Sequence, residues 1–263
     1  MQQIKVILGI FFIVVFSGNG FASLREQFSH LEGASRENFI LKAVAEGQAF
    51  PSWEKLTPVT VTATLSDKQK HSITFYVSPD YLQLGDEQEF FWAPLQFASV
   101  KKLMASMDVL VPTVKMVNII YQQAALKIWA KTIPSGPLMS SSPVSLQHTD
   151  FLFEQLEKRG MAFPCDCLSA GHKKDYVLTK RLLERPNREA IYGWFERDGS
   201  VIQPLSMAHN DQWVDYSQGF RAVASKAMVD GVEKSVVQIL RDPLLSQLIS
   251  DEGPMDLRKL INN

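Results

Sequence analysis

Between Ala170 and Arg221 the sequence concentrates residue types that can move protons or attack a carbonyl. The stretch reads A-G-H-K-K-D-Y-V-L-T, then A-I-Y-G-W-F-E, then V-I-Q-P-L, and closes on H-N-D-Q-W-V-D-Y-S-Q-G-F-R. His172, Lys173, Lys174, Asp175, His209, Asp215 and Ser217 fall inside short β-type runs rather than in the turns between them. Ionised groups on strands are costly to bury unless paired, so this placement implies either a site or a salt-bridged sheet. For acyl transfer, Ser217 or a bound water would be the nucleophile and His209 or His172 the base. Asp215 would orient the imidazole, and Lys174 or Arg221 would stabilise the oxyanion. A metal-assisted version would use His172, His209 and Asp215 or Asp175 as ligands, a set that suits zinc. Neither arrangement matches a compact motif: G-x-S-x-G, H-E-x-x-H and G-x-x-x-x-G-K-[ST] are all absent.

Residues two apart on a strand share a face. His172 and Lys174 should therefore point one way and Lys173 and Asp175 the other, with Asp215 and Ser217 sharing a face with Trp213. Antiparallel pairing of the first and last runs would bring His172 and Lys174 to Asp215 and Ser217. Lys173, Lys174, Arg221, Tyr216 and Trp194 are the candidate substrate-binding groups. Each has a plainer reading beside it. A strand histidine can be a hydrogen-bonded structural residue, and Lys173-Lys174-Asp175 can be a salt-bridged edge. Tyr192, Trp194 and Phe195 can be core, and Asp215 can cap the turn at Ser217-Gln218-Gly219.

The elements that must position these groups read as an α+β domain, a mostly antiparallel sheet flanked by helices. Leu24 to Gly47 is weakly helical, with a start near Ser35 and Asn38. Val59, Val61, Ala63 and Leu65 alternate with threonines, turn at S-D-K-Q-K and return as H-S-I-T-F-Y-V-S, a hairpin. Tyr81 to Pro94 reads as a loop whose F-F-W either caps the core or offers a sugar-stacking edge. Phe97, Val100, Leu103, Met104 and Met107 define one helix. Val114, Val117, Ile120, Tyr121, Ala124 and Ala125 define the next, with Pro112 in its first turn. Thr132 to Pro143 is a Pro/Ser-rich loop within a single domain. Thr149 caps a helix that stops at Gly160. Ala222 to Val229 is a strand, Asp230-Gly231 a tight turn, Ser235 to Leu240 a helix, and Asp242-Pro243 opens a last amphipathic helix.

The chain has 263 residues, 46% of them hydrophobic, and a net charge of −1. That length buries a full core, and the balanced charge speaks against a general nucleic-acid binder. Lys5, the apolar run Val6 to Phe16, and Gly20 and Ala22 at −3 and −1 have the grammar of a secretory signal. Residues 1–22 are thus expected to be removed, leaving 23–263 as the domain, secreted or periplasmic, with no stable transmembrane segment after cleavage. An uncleaved anchor is the alternative. Cys165 and Cys167 are the two cysteines. A bridge two residues apart closes a small ring and tends to be reducible. A redox pair, a metal site with His172, a local loop bridge and two half-buried thiols all remain open.

Several of these segments, together with V-P-T-V-K-M-V-N-I-I-Y-Q-Q-A and L-R-D-P-L-L-S-Q-L-I-S-D-E-G, resemble a family of largely uncharacterised secreted microbial proteins. The resemblance runs from about Thr57 to Gly253 and implies no established activity. The family pattern is Y-S-H-G where this chain has Gln218, and Y-G-W-H where it has Phe195. If either family histidine were a ligand or base, this chain would be a degenerate member, and weight would shift to His172 and His209. The leading expectation is a hydrolase acting on a cell-envelope or extracellular polymer such as peptidoglycan. The other is a non-catalytic protein that holds an anionic glycan or peptide. Geometry separates them: an enzyme requires His172, His209 and Asp215 to converge in one cleft.

Overall fold

A computed structural model describes residues 22–49 and 55–257. Residues 1–21 of the expected signal lie outside these. The chain begins with α1 (Leu24–Ser29) and α2 (Gly33–Ala45), so the weakly helical N-terminal stretch is two helices rather than one. Ser23 caps the first through its hydroxyl. A reciprocal capping box between Glu32 and Ser35 starts the second, placing Ser35 inside the first turn. Gly47, at φ 73°, follows its end.

The expected hairpin is β1 (Thr57–Thr64) with β2 (Lys70–Val77), antiparallel. Val59, Ile73, Phe75 and Val77 are buried, while Thr60, Thr62 and Thr64 are exposed. The threonine face is therefore solvated, and it pairs across the strands through Thr60–Thr74 at 2.8 Å and Thr62–Ser72 at 3.2 Å. Next come β3 (Gln83–Gly85) and β4 (Phe90–Trp92), a second antiparallel pair where a loop was expected. Its F-F-W is core, with all three rings buried. Then follow α3 (Phe97–Met107), β5 (Val109–Leu110), α4 (Val114–Gln123) and β6 (Leu126–Lys127). The two apolar stripes bury as expected except at their ends: Met107 and Ala125 are exposed, and Pro112 precedes the Thr113 cap rather than entering the helix.

Next, α5 (Ser142–Lys158) starts seven residues before Thr149, because Ser141 caps it and Pro143 suits a first helical turn. Thr149 is interior and returns its hydroxyl to the Ser145 carbonyl at 3.3 Å. Short strands β7 (Ser169–Ala170) and β8 (Lys174–Tyr176) lead through α6 (Arg181–Glu184) to β9 (Ile191–Phe195) and β10 (Val201–Ser206). The chain closes with β11 (Gln218–Gly219), β12 (Val223–Val229), β13 (Val232–Ser235) and α7 (Val236–Arg241). A 3₁₀ turn, Leu245–Leu248, stands where a last amphipathic helix was expected.

One sheet has the order β1-β2-β12-β13, with β5 also on β12; the other has the order β10-β9-β8-β11. Every pairing within them is antiparallel except β8–β11. Between the sheets and helices one buried cluster runs from Phe28 to Leu257, and a smaller aromatic one gathers Tyr81, Phe90, Trp92, Leu126, Ile128, Leu152 and Leu156. No helix among the described residues is long and apolar enough to cross a membrane.

At one end of the larger sheet His71 clasps two turns. Its Nδ1 lies 2.6 Å from Asp230 and its Nε2 3.0 Å from Asp67. Asp230 first, then Asp67, raises the imidazole pKa above its usual 6.5. The pairing is fully present below the ordinary pKa and fades as pH rises through the raised value. His71→Gln should therefore lower Tm more at pH 5 than at pH 9. Thermal melts showing the same loss at both would refute the clasp.

Candidate functional site

The central stretch approaches its site through two glycines. Gly171 sits at φ 110°, and a Cβ there would lie 2.6 Å from the Ile128 carbonyl oxygen. At Gly219 a Cβ would come within 2.7 Å of the Tyr81 ring and 2.8 Å of Lys173 Cβ. Bare backbone lets the chain pass Ile128 at Gly171 and lets β11 close over Tyr81 at Gly219.

What they enclose is a sealed polar network. His172 is fully buried, its ring edge-on to Tyr81 and to Trp92 at 4.9 Å each, with Nε2 3.2 Å from Asp80 Oδ1. Burial pulls its pKa down against the opposing pull of Asp80. Burial acts to raise the Asp80 carboxyl, but His172 and Arg221 outweigh it and hold the group ionised. It also accepts from the Tyr81 amide at 2.6 Å and the Gln83 side chain at 2.9 Å. Lys173 Nζ donates to the Tyr216 carbonyl at 2.6 Å and faces His148 Nδ1 at 3.1 Å. Burial lowers this ammonium to about 7, and burial with the nearby Lys173 drives His148 well below the usual imidazole range. Asp175 accepts from the Tyr81 hydroxyl at 2.8 Å; burial lifts it to about 6 against the pull of Arg221.

Several expectations are corrected here. Arg221 is buried and donates to the Ser78 and Ser169 carbonyls at 2.8 and 2.7 Å, its guanidinium 4.3 Å from the Tyr81 ring centre. It braces the interior and cannot meet a ligand at the surface; Lys173 is likewise enclosed. The pairing of β8 with β11 is parallel, Gln218 opposite Lys174 and Gly219 opposite Asp175, not antiparallel. The strand begins only at Lys174, so the face rule does not extend to His172 and Lys173. Asp215 takes the plainer role, accepting from the Ser217 amide at 2.7 Å and from the Ser217 hydroxyl. Ser217 is fully buried and gives its hydroxyl to that carboxylate, not to an imidazole. Lys174 lies 3.8 Å from Asp215 and 4.9 Å from the centre of the Trp194 ring. Trp194 and Tyr216 are themselves buried, and the Tyr216 hydroxyl accepts from the Ile133 amide at 2.8 Å. His209 stays apart from His172: it is exposed and stacks on Trp213 at 4.9 Å.

The two departures from the resembled pattern are now placed. Phe195 stacks flat on Tyr121, 3.8 Å between centroids, as core. Gln218 accepts from the Asp215 amide and donates to Glu189. Glu189 is buried, and burial, aided by Asp215, raises its carboxyl to about 8. Sequence reading passed over Glu189, His148, Asp80 and Tyr81. The only sequence signal for Glu189 is an acid placed directly before an apolar strand.

Among the described residues, surface grooves of about 510, 250 and 230 Å³ are lined by none of His172, Lys173, Asp175, Asp215 and Ser217. Among the described residues no three His, Cys, Asp or Glu side chains are placed to share a metal ion, so the zinc set does not fit this geometry. Cys165 and Cys167 form a disulfide, the local loop bridge among the readings left open.

A different surface is built around the extended run L-K-I-W-A-K, residues 126–131. Leu126 and Ile128 are buried in the aromatic core, while Lys127 and Trp129 are part-exposed and Lys131 is exposed. Gln155 of α5 fixes the Trp129 backbone through both its amide and its carbonyl, at 2.9 and 3.1 Å. Arg159 and Arg197 lie 4.3 and 4.8 Å from the Trp129 ring centre. Lys127 sits 5.1 Å from that of Tyr121 and Lys131 5.4 Å from that of Phe151. Among the described residues none of these four cations has a carboxylate partner within 4.0 Å.

Comparison with known protein families, curated proteins and solved structures gives no significant match.

The raised Glu189 pKa has a measurable consequence. A group whose folded pKa exceeds its unfolded 4.5 contributes stability that is whole below that value and lost as pH rises through about 8. Glu189→Gln keeps a neutral acceptor for Gln218. The variant should melt near the parent at pH 5 and above it at pH 9. A gap that does not change with pH would mean that Glu189 titrates as an ordinary carboxylate.

Proposed function

We propose that the protein is a non-catalytic binding module of the cell envelope that holds an anionic polymer, a carboxylate- or phosphate-bearing glycan, on the Trp129 face. The observation that carries this reading is the set of four cations, Lys127, Lys131, Arg159 and Arg197, poised over aromatic rings without carboxylate partners. A cation over an exposed ring gains about 0.5–1 kcal/mol. That helps to preset its position without neutralising its charge; Arg159 is further fixed by donating to the Lys127 carbonyl at 2.8 Å. Trp129 is part-exposed and flanked by two guanidinium groups, so this face suits a polymer that carries acid groups beside its sugar rings. The disulfide fits an oxidising compartment, in keeping with the secretory reading of residues 1–22 and with the resembled secreted family. The hydrolase alternative needs His172, His209 and Asp215 together in a cleft, and that requirement is not met by a buried His172 and an exposed His209.

The test is co-sedimentation of the purified protein with cell-wall sacculi across a salt series, with soluble products followed by mass. The expected result is retention without product release. Retention should weaken as added salt shortens the screening length from about 30 Å to about 8 Å. Lys131→Glu with Arg197→Glu should reduce it by about tenfold, the equivalent of 1.4 kcal/mol. Retention that the double variant leaves intact would remove the Trp129 face from the reading. Product release that His172→Ala abolishes would restore the hydrolase.

A further inference from the structure

We propose that the Cys165–Cys167 disulfide is a thiol–disulfide exchange site that passes its bridge to a dithiol in an extended partner peptide. The chain's only two cysteines are both committed to this bond. As a staple it does little, because the loop-closure entropy a disulfide removes grows with loop length and here the cysteines are two residues apart. Small rings of this kind are the reducible ones.

The surroundings suit exchange. Both cysteines are part-exposed, and Asp166 between them is exposed. No backbone–backbone hydrogen bond ties residues 162–167 to the rest of the described chain. The segment is held instead by side-chain packing on the smaller aromatic cluster: Phe163 on Trp92 with 5.5 Å between centroids and on Phe90 with 5.7 Å, and the part-buried Cys165 and Cys167 beside it. The bridge can therefore open without breaking any sheet or helix ladder. The free amides and carbonyls beside it offer an incoming peptide main-chain partners, and the Phe163 side of the loop gives it an apolar support.

In the step itself, a thiolate of the dithiol attacks one Sγ. A mixed disulfide forms as the Cys165–Cys167 bond breaks, and the electron pair leaves on the other Sγ, which takes up a proton. The second thiol of the peptide then attacks its own mixed-disulfide sulfur and displaces the cysteine as a thiolate, which also takes up a proton. The peptide leaves oxidised by two electrons and the protein keeps two thiols. This activity is independent of the polymer-binding reading, since it involves none of the cations around Trp129.

The experiment mixes the purified, oxidised protein with a synthetic peptide carrying C-x-x-C in the reduced form. Quenched samples are alkylated and weighed, and circular dichroism is recorded alongside. The expected result is stoichiometric peptide oxidation at a rate at least about tenfold above global unfolding, with the native spectrum retained. Cys165→Ser or Cys167→Ser, first charged with glutathione on the remaining thiol, should trap a mixed disulfide with a single-thiol peptide. A bridge that survives until the protein unfolds, or single variants that form no mixed disulfide although folded, would overturn the proposal.

Discussion

The buried guanidinium of Arg221 is the constraint on which the rest of the interior depends. An ion taken out of water costs several kcal/mol even after relaxation, so a fully buried arginine must find partners in several directions at once. It does so by reaching across both sheets: to Ser78 at the end of β2, to Ser169 in β7, and toward Asp175 in β8, with Nε 3.6 Å from that carboxylate. Tyr81 supplies the face beneath it. One side chain thus holds the end of the larger sheet against the start of the smaller one. The tight approach at Gly219 and the close packing of His172 on Tyr81 follow from that join.

The same low-dielectric setting explains why the neighbouring groups settle near neutrality. Each additional buried charge would need its own counter-charge, and Asp175 already faces Arg221 while Asp80 is engaged by the His172 ring. Lys173 accordingly approaches His148 and a carbonyl rather than a carboxylate and is held at about 7. Glu189, beside the Asp215 charge, is pushed the other way, to about 8. Perturbed pKa values often mark active sites, but buried structural networks produce them too. The deciding facts are access and pairing: Ser217 has no imidazole, and His172 has no route to solvent.

Local periodicity made much of the fold legible. The β1–β2 hairpin, the stripes of α3 and α4, and the Asp230-Gly231 turn each carry their pattern within a dozen residues. The start of α5 was misread because Thr149 with its following acid imitates a cap, whereas Ser141-Ser142-Pro143 does the work seven residues earlier. The parallel β8–β11 pairing could not be read at all. Two- and three-residue strands have no period to show, and their partner choice depends on where Arg221 and Tyr81 bring the chain. The density of polar residues on strands did announce something real, but it was the cost of joining two sheets through a polar interior rather than a cleft.

The L-K-I-W-A-K run shows the opposite case, a signal present in the sequence and eclipsed by a richer stretch. Leu126 and Ile128 are buried, whereas Lys127 and Trp129 are part-exposed and Lys131 is exposed. What sequence could not supply was Arg159 from the end of α5 and Arg197 from the β9–β10 turn, both brought to one indole by tertiary packing. Such convergence has a price in electrostatic repulsion, since four like charges gather on a chain whose net charge is only −1. Aromatic faces relieve part of that repulsion, but they neutralise none of the charge. An anion would, which is why the proposed ligand is an anionic polymer: the cations are already in place before it binds.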